Sequence, residues 1–563
     1  MSKIAWNDIN WTLVQKRISR QQRRVYKASM EGNKAKVHAI QRRIIASLDA
    51  RLLAIRQITT ENKGCNTAGV DNIKVISHKK KIELAYRLKL DGKATPIRRN
   101  CIPTLEDQAK QMLAKLALEP EWEAIFEYNS YGFRPGRSCH DAIATVSLSL
   151  SGKPRYVLDT DIQKCFNRIN HDKLLKKLST FDLMKNQIKA WLRVDTMVGY
   201  LNRPDEVKQA MEGTPQGDII SPLLANIALH GLGDHIKNWY ANTYYQTTER
   251  NSKVEKDRMT DIGFARYADN FVITAPEQVA IIEIKKQVAI WLNNEVGLKL
   301  SKAKTRIINS TQGFEFLGFQ IISVKQSNRV YQVKTRPSRR SRARIIQLTR
   351  DIIQRNKSAS SFYLISLLTS RIIGWANYFR YSECSKDFSK LDYLIFNQVR
   401  AWVFRRKSKG LKSRTALKLK YFPEGKTYRF RGKDYKNNWI LTGNRLTKDG
   451  KLEENFLPKM VWISTAQHVK IRGKASPYDG NHLYWAKREE KYSGFNERVS
   501  KLIRIQNGCC AKCGRSFALG DSIEVNYIIL RPKRRLDKYK KLQVLHKHCQ
   551  IQKSHFENSV SIK

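Results

Sequence analysis

The 563 residues carry 105 Lys and Arg against 50 Asp and Glu, a formal charge of +55. That is far beyond what solubility needs and points to a polyanionic partner, nucleic acid. Hydrophobic residues make up 41%, enough for cores in roughly three to five domains, which excludes a disordered basic tail. No apolar run approaches the roughly 18 residues of a spanning helix, and Met1–Asp8 has no signal-peptide apolar stretch, so no membrane partner is expected and the protein reads as intracellular. Five cysteines scattered singly read as reduced thiols rather than a disulfide framework.

The first sixty residues alternate Arg17, Arg20, Arg23, Arg24, Arg42 and Arg43 with Val25, Ile40, Ile44, Leu48 and Leu52, a helical pattern with one basic face. That face is either solvated or in contact with RNA phosphates. Thr67-Ala68-Gly69-Val70-Asp71 follows, and later Tyr131-Gly132-Phe133-Arg134-Pro135-Gly136-Arg137-Ser138. An apolar strand, Arg155 to Leu158, leads to Asp161, with Phe166 five residues on. Gly213-Thr214-Pro215-Gln216-Gly217-Asp218 opens a helix through Ser221-Pro222 to Asn226, a loop suited to close backbone approach by a nucleotide or template base. Phe264-Ala265-Arg266-Tyr267-Ala268-Asp269-Asn270-Phe271-Val272-Ile273 places an acidic turn between two apolar strands. Adjacent carboxylates on such a turn, with a third from Asp161, hold two Mg²⁺ ions for in-line phosphoryl transfer. Here Asn270 is an amide where the second carboxylate is expected.

These motifs, in this order and followed by Gly313-Phe314-Glu315-Phe316-Leu317-Gly318-Phe319, resemble the reverse transcriptase core of group II intron-encoded proteins. The resemblance implies an α+β right-hand polymerase, palm and fingers over 66–325, preceded by a basic RNA-gripping extension over 1–65. It implies Mg²⁺ at Asp161 and Asp269, with Arg134, Phe166, Pro215, Gln216 and Gly217 at nucleotide or template, and Asn270 as a degenerate catalytic position. In the family the entry to the fingers runs through a basic, Gly-containing hairpin between two Ile-Pro pairs. Arg98-Arg99-Asn100-Cys101 here leads straight into Ile102-Pro103-Thr104, so the hairpin is expected to be gone.

Lys334 to Arg344 puts six basic residues in eleven: Lys334, Arg336, Arg339, Arg340, Arg342 and Arg344. With Arg371 to Arg380 and Trp402-Val403-Phe404-Arg405-Arg406-Lys407 it is similar to the family's thumb and maturase (X) domain, set at 326–430. There aromatics are expected inside, while Arg23, Arg24, Arg336, Arg339, Arg340, Arg342, Arg344, Arg405 and Arg406 meet folded RNA. The run from His468 to Gly480 with Tyr484-Trp485 resembles the family's DNA-binding region, set at 431–492.

Near the end, Cys510-Ala511-Lys512-Cys513 and His546-Lys547-His548-Cys549 give two ligand pairs with the spacing of a tetrahedral Zn²⁺ site. Over 493–563 this resembles an HNH endonuclease, a ββα-metal finger. Its histidine-bearing positions read Asn526, Tyr527 and Gln550. A tyrosine with a pKa near 10 stays protonated at neutral pH and is no base for water. The zinc scaffold is therefore expected without nuclease chemistry.

The resulting reading is a group II intron maturase that binds its intron RNA and promotes splicing, with weak or absent polymerase and endonuclease activity. Target DNA and a second copy of the chain are further candidate partners, and a plastid or a bacterial cytoplasm is the expected setting. An active reverse transcriptase serving intron mobility is the second reading. A generic basic RNA chaperone would explain the charge but not the ordered motifs.

Overall fold

The computed structural model describes residues 5–61, 77–95, 103–163, 165–193, 218–244, 261–327, 330–406, 413–447, 452–481 and most of 497–517, with short stretches between and beyond, including 523–528 and 542–547. Thr67–Asp71, Pro215, Gln216, Gly217 and Lys407 lie outside the described residues. The chain divides into two compact units. One comprises Met1–Thr145, Val157–Ile307 and Ile471–Lys563; the other comprises Val146–Tyr156 and Ile308–Lys470. The stretch 431–492 is thus shared between them, parting at Lys470.

The first unit begins with three helices, Trp11–Met30, Lys34–Ala46 and Leu48–Arg56. Each opens on a side-chain cap: Asn10, Asn33 and Ser47 accept from the backbone N–H three residues on, satisfying one of the donors a helix start leaves open. Their apolar faces, among them Val14, Ile18, Val25, Ile40, Ile44 and Leu53, are buried and pack on the long helix Leu105–Ile125. Gln22 Nε2 fastens the first helix to the Leu116 carbonyl at 2.9 Å. Arg23 and Arg24 lie exposed, as the amphipathic pattern predicts.

Between these helices and the palm the chain turns at Asp91-Gly92, upstream of the site of the expected hairpin loss, where residues 99–102 lie outside the described residues. Asp91 and Gly92, the latter at φ +71°, both donate backbone N–H to Gln187 Oε1 at 2.9 Å. Asp91 pairs with Lys110 at 3.1 Å. Lys89 and Lys93 flank the turn, both exposed, and a short strand, Ile97–Arg98, follows.

The palm is a four-stranded sheet in the order Gly263–Tyr267, Asn270–Ala275, Tyr156–Asp161, Arg306–Asn309. The first two form an antiparallel hairpin in which Tyr267 pairs with Asn270. The turn between them is Ala268-Asp269, and Ala268 adopts φ +58°, a left-handed conformation that costs an L-residue roughly 1–2 kcal/mol.

In the second unit, Phe314–Phe316, Phe319–Lys325 and Tyr331–Pro337 form an antiparallel sheet, turned at Leu317-Gly318 with both residues at positive φ. The helices Arg339–Arg355, Ser361–Phe379 and Ser385–Phe404 follow, burying Leu364, Leu368, Ile372, Phe388, Leu391 and Trp402. Two hairpins, Thr427–Lys436 and Thr442–Phe456, come next, and Tyr428, Ile440 and Trp462 form a small core of their own. No helix among the described residues is long and apolar enough to cross a membrane.

Candidate active site and metal centre

Three segments distant in sequence converge behind the acidic turn. Tyr131 N–H donates to the Arg266 carbonyl at 2.8 Å, and Arg266 N–H to the Asn129 carbonyl at 2.9 Å. This leaves Gly132 so close that a Cβ there would sit 2.3 Å from the Ala268 nitrogen, which only a glycine avoids. Asn226 Nδ2 donates to the Gly132 carbonyl at 2.8 Å. The Arg266 guanidinium, fully buried, donates to Asn226 Oδ1 at 3.0 Å and to the Ala268 carbonyl at 3.3 Å. The chain Gly132–Asn226–Arg266 thus holds the strained turn in place. Neither Arg266 nor Asn226 was singled out from sequence, because each is an ordinary polar residue until the fold buries it.

Asp161 and Asp269 come together at the ends of neighbouring strands. Ile162 N–H donates to the Asp269 carbonyl at 3.3 Å. Burial, and then the nearby Asp161 carboxylate, raise the Asp269 pKa above its ordinary value. Asn270 Nδ2 donates to Asp269 Oδ1 at 3.1 Å, so the amide hydrogen-bonds its neighbour rather than adding a charge. Lys304, also missed from sequence, ion-pairs with Asp161 Oδ2. Phe133, half exposed at φ +57°, stands edge-on to Phe166 at 6.4 Å and lies 6.5 Å from Tyr267. Asp161 and Asp269 supply two carboxylates that could hold a hard divalent cation, with the Asn270 amide beside them.

Arg134 is a correction. Its guanidinium is buried, bidentate on Glu123 at 2.8 and 3.0 Å, and donates to the carbonyls of Glu127 and Ser130 at 2.7 and 2.9 Å. Its donors are spent inside the fold, so it is structural and does not face a triphosphate. Asp141, which sequence passed over, ties Ser138 to the later segment. It accepts from Ser138 N–H at 2.9 Å, from Ile471 N–H at 2.8 Å and from Arg488 Nη2 at 2.6 Å.

Asp218 is buried, and desolvation, with a further push from Asp107, raises its pKa to about 7. The unfolded carboxyl titrates near 3.9, so from about pH 4 to 7 the unfolded chain has lost a proton that the folded chain keeps. Stability therefore falls as pH rises through that window and levels off above it. Asp218→Asn is expected to raise the thermal midpoint at pH 8 and to close the gap by pH 4, the difference corresponding to at most about 4 kcal/mol at about 1.36 kcal/mol per pKa unit. A gap that does not change between pH 4 and 8 would rule out a neutral buried carboxyl.

Of the arginines expected to meet RNA, Arg23, Arg24, Arg336, Arg339, Arg340, Arg344 and Arg405 are exposed. Arg342 instead pairs with Asp387 at 2.7 Å, and Arg406 lies over Trp402 at 4.1 Å while donating to the Ala359 carbonyl at 2.6 Å. Both are partly engaged in the fold. The helix Arg339–Arg355 starts with Ser338 as cap and has no acidic residue in its first turn.

Cys510, Cys513, His546 and Cys549 are all buried, their ligand atoms within 4.8 Å of one another. Cys510 sits in a tight turn, its carbonyl accepting from Gly514 N–H at 2.8 Å and its N–H donating to the Arg515 carbonyl at 2.9 Å. His546 ends the strand Leu542–His546, with Nδ1 at 3.3 Å from Cys513 Sγ. A tetrahedral Zn²⁺ with bonds of about 2.0–2.3 Å separates its donors by about 3.4–3.8 Å, so three sulfurs and one nitrogen fit this ion with little movement. The partner strand Ile523–Tyr527 aligns Ile523 with His546 and Tyr527 with Leu542. Tyr527 therefore stands about 14 Å along the sheet from the cross-strand position of His546, at about 3.4 Å per residue. Asn526 lies one residue nearer, opposite Gln543, and half-buried Gln550 follows Cys549.

Residues 87–321 match the family described as reverse transcriptase (RNA-dependent DNA polymerase). Residues 6–88 match the N-terminal domain of reverse transcriptase, and residues 342–422 the group II intron maturase-specific domain. Protein YkfC of Escherichia coli (strain K12) is 30% identical over 304 residues, covering 47% of this chain and 78% of its own length. Group II intron-encoded protein LtrA of Lactococcus lactis subsp. cremoris is 28% identical over 423 residues, covering 60% of this chain and 69% of its own. Maturase-like protein 1 of Euglena gracilis is 26% identical over 396 residues, covering 67% and 76%.

Proposed function

We propose that this chain, which belongs to the reverse transcriptase and maturase family of group II introns, works as a maturase: it binds intron RNA and promotes splicing, while its polymerase centre is crippled. The observation that carries this reading is the start of the helix Arg339–Arg355. Arg339, Arg340 and Arg342 fall within the first four residues of the helix, where the peptide dipole is already positive and an exposed cation costs about 0.3–1 kcal/mol, and Arg344 follows two residues on. Of these four, Arg342 has its cost offset by the pair with Asp387, while the other three lie in solvent. An arginine cluster at a helix start suits a polyanion, and folded RNA is read through phosphates and shape.

Loss of polymerase function is read from Asn270 and from the missing fingers hairpin, with Lys304 paired to Asp161 beside them. The C-terminal module is read as a structural Zn²⁺ site of HNH type without nuclease activity, because Tyr527 and Gln550 supply no base at neutral pH. Target DNA is a further candidate partner of the segment around Tyr484, and the setting is a plastid or a bacterial cytoplasm, the Lys- and Ile-rich composition suiting a plastid or another AT-rich genome.

An active reverse transcriptase supporting intron mobility is the second reading, favoured by the pairing of Asp161 and Asp269 beside Phe166. Splicing of the host intron RNA at near-physiological Mg²⁺, with and without the protein, tests the first reading. Stimulation is expected, and a rate unchanged by the protein would overturn it.

A further inference from the structure

The cysteine-histidine cluster has a further neighbour from the opposite end of the chain. Arg56, the last residue of the third N-terminal helix, is 2% exposed and donates from Nη2 to Cys549 Sγ at 3.2 Å. Its guanidinium is oriented from two other sides. Nε pairs with Glu61 Oε1 at 3.0 Å, and the plane lies over the Trp11 ring at 4.6 Å. Glu61 in turn ion-pairs with Arg515, two residues past Cys513, and Thr12 Oγ1 donates to the Lys512 carbonyl inside the Cys510–Cys513 turn. All of these groups lie in the first unit.

Three thiolates and a neutral imidazole leave Zn²⁺ with one net negative charge, which in a buried site needs a fixed counter-charge or hydrogen-bond donor. Among the described residues, Arg56 supplies both at Cys549. Its own charge is shared with Glu61, which Arg515 balances, so the array leaves no buried charge without a partner.

We infer that Arg56 is a positioning residue of the zinc centre, donating to the Cys549 thiolate, so that metal binding near the C-terminus and the packing of the N-terminal RNA-binding helices are one coupled equilibrium. This rests on reading the cluster as a zinc site. The coupling is reciprocal: whatever the N-terminal helices contribute to zinc affinity, zinc returns to the order of those helices. The module is therefore a clamp on the N-terminal extension, a use that needs no nuclease chemistry.

The test uses the full chain. Zinc content comes first, then zinc affinity by competition with a chromogenic chelator, and the Co²⁺-substituted absorption spectrum. Arg56→Met removes donor and charge but leaves Glu61 with one partner fewer, so Arg56→Met/Glu61→Gln is made beside it to keep a foldable variant. Zinc affinity is expected to fall roughly ten- to a hundredfold, the sulfur-to-cobalt charge-transfer band to shift, and Arg56→Lys to restore part of both. Chelating zinc from the unaltered protein should speed amide exchange in Trp11–Met30 and Leu48–Arg56. Zinc bound by the double variant within twofold of the original affinity, with the cobalt band unmoved, would overturn the role of Arg56 alone. Absence of zinc from the unaltered protein would overturn the zinc reading and this inference with it.

Discussion

Primer extension on an RNA template by the purified protein should be barely detectable, and Asn270→Asp should raise it roughly ten- to a hundredfold, or about 1.4–2.8 kcal/mol of transition-state stabilisation. The amide oxygen of Asn270 is neutral, and its Nδ2 is already committed to Asp269 Oδ1 at 3.1 Å. A carboxylate at that position would add a charged oxygen ligand for Mg²⁺, which prefers such ligands. Recovery should be partial, because Lys304 still ion-pairs with Asp161 and burial still holds Asp269 toward its neutral form. Robust cDNA synthesis by the unaltered protein would defeat this reading, and an Asn270→Asp variant no better than the parent would place the defect elsewhere.

Replacing Arg339, Arg340 and Arg344 together by Ala should abolish splicing assistance at low Mg²⁺. It should also reduce the slope of log affinity against log salt by about two to three units, roughly one for each phosphate that is no longer neutralised. These three are exposed, and Arg339 and Arg340 sit at the unfavourable end of a helix dipole, so their removal should leave the fold intact or slightly stabilised. Arg342 is left in place because removing it would strand Asp387, its partner at 2.7 Å, and confuse binding with stability. Asp161→Ala, by contrast, should keep splicing within a few-fold of the parent. If Asp161→Ala loses splicing and the triple variant does not, RNA binding has been assigned to the wrong surface.

Ordered short motifs made the polymerase and maturase regions legible in the sequence, and so did the paired Cys-x-x-Cys and His-x-x-Cys spacing, because turns, strand ends and metal ligands demand particular residue types at fixed intervals. Charge excess made nucleic acid the expected partner class, since +55 is far beyond what solubility needs. Whether a given arginine faces RNA or the interior was not legible. Arg134 and Arg339 look alike in sequence, yet one is bidentate on a buried Glu123 and the other lies in solvent. Lys304 on Asp161, the Gly132–Asn226–Arg266 chain behind the acidic turn, and Arg56 on Cys549 join residues up to 493 positions apart. Local periodicity carries no record of such pairings, because they arise only when packed layers bring buried polar groups together and each must find a partner.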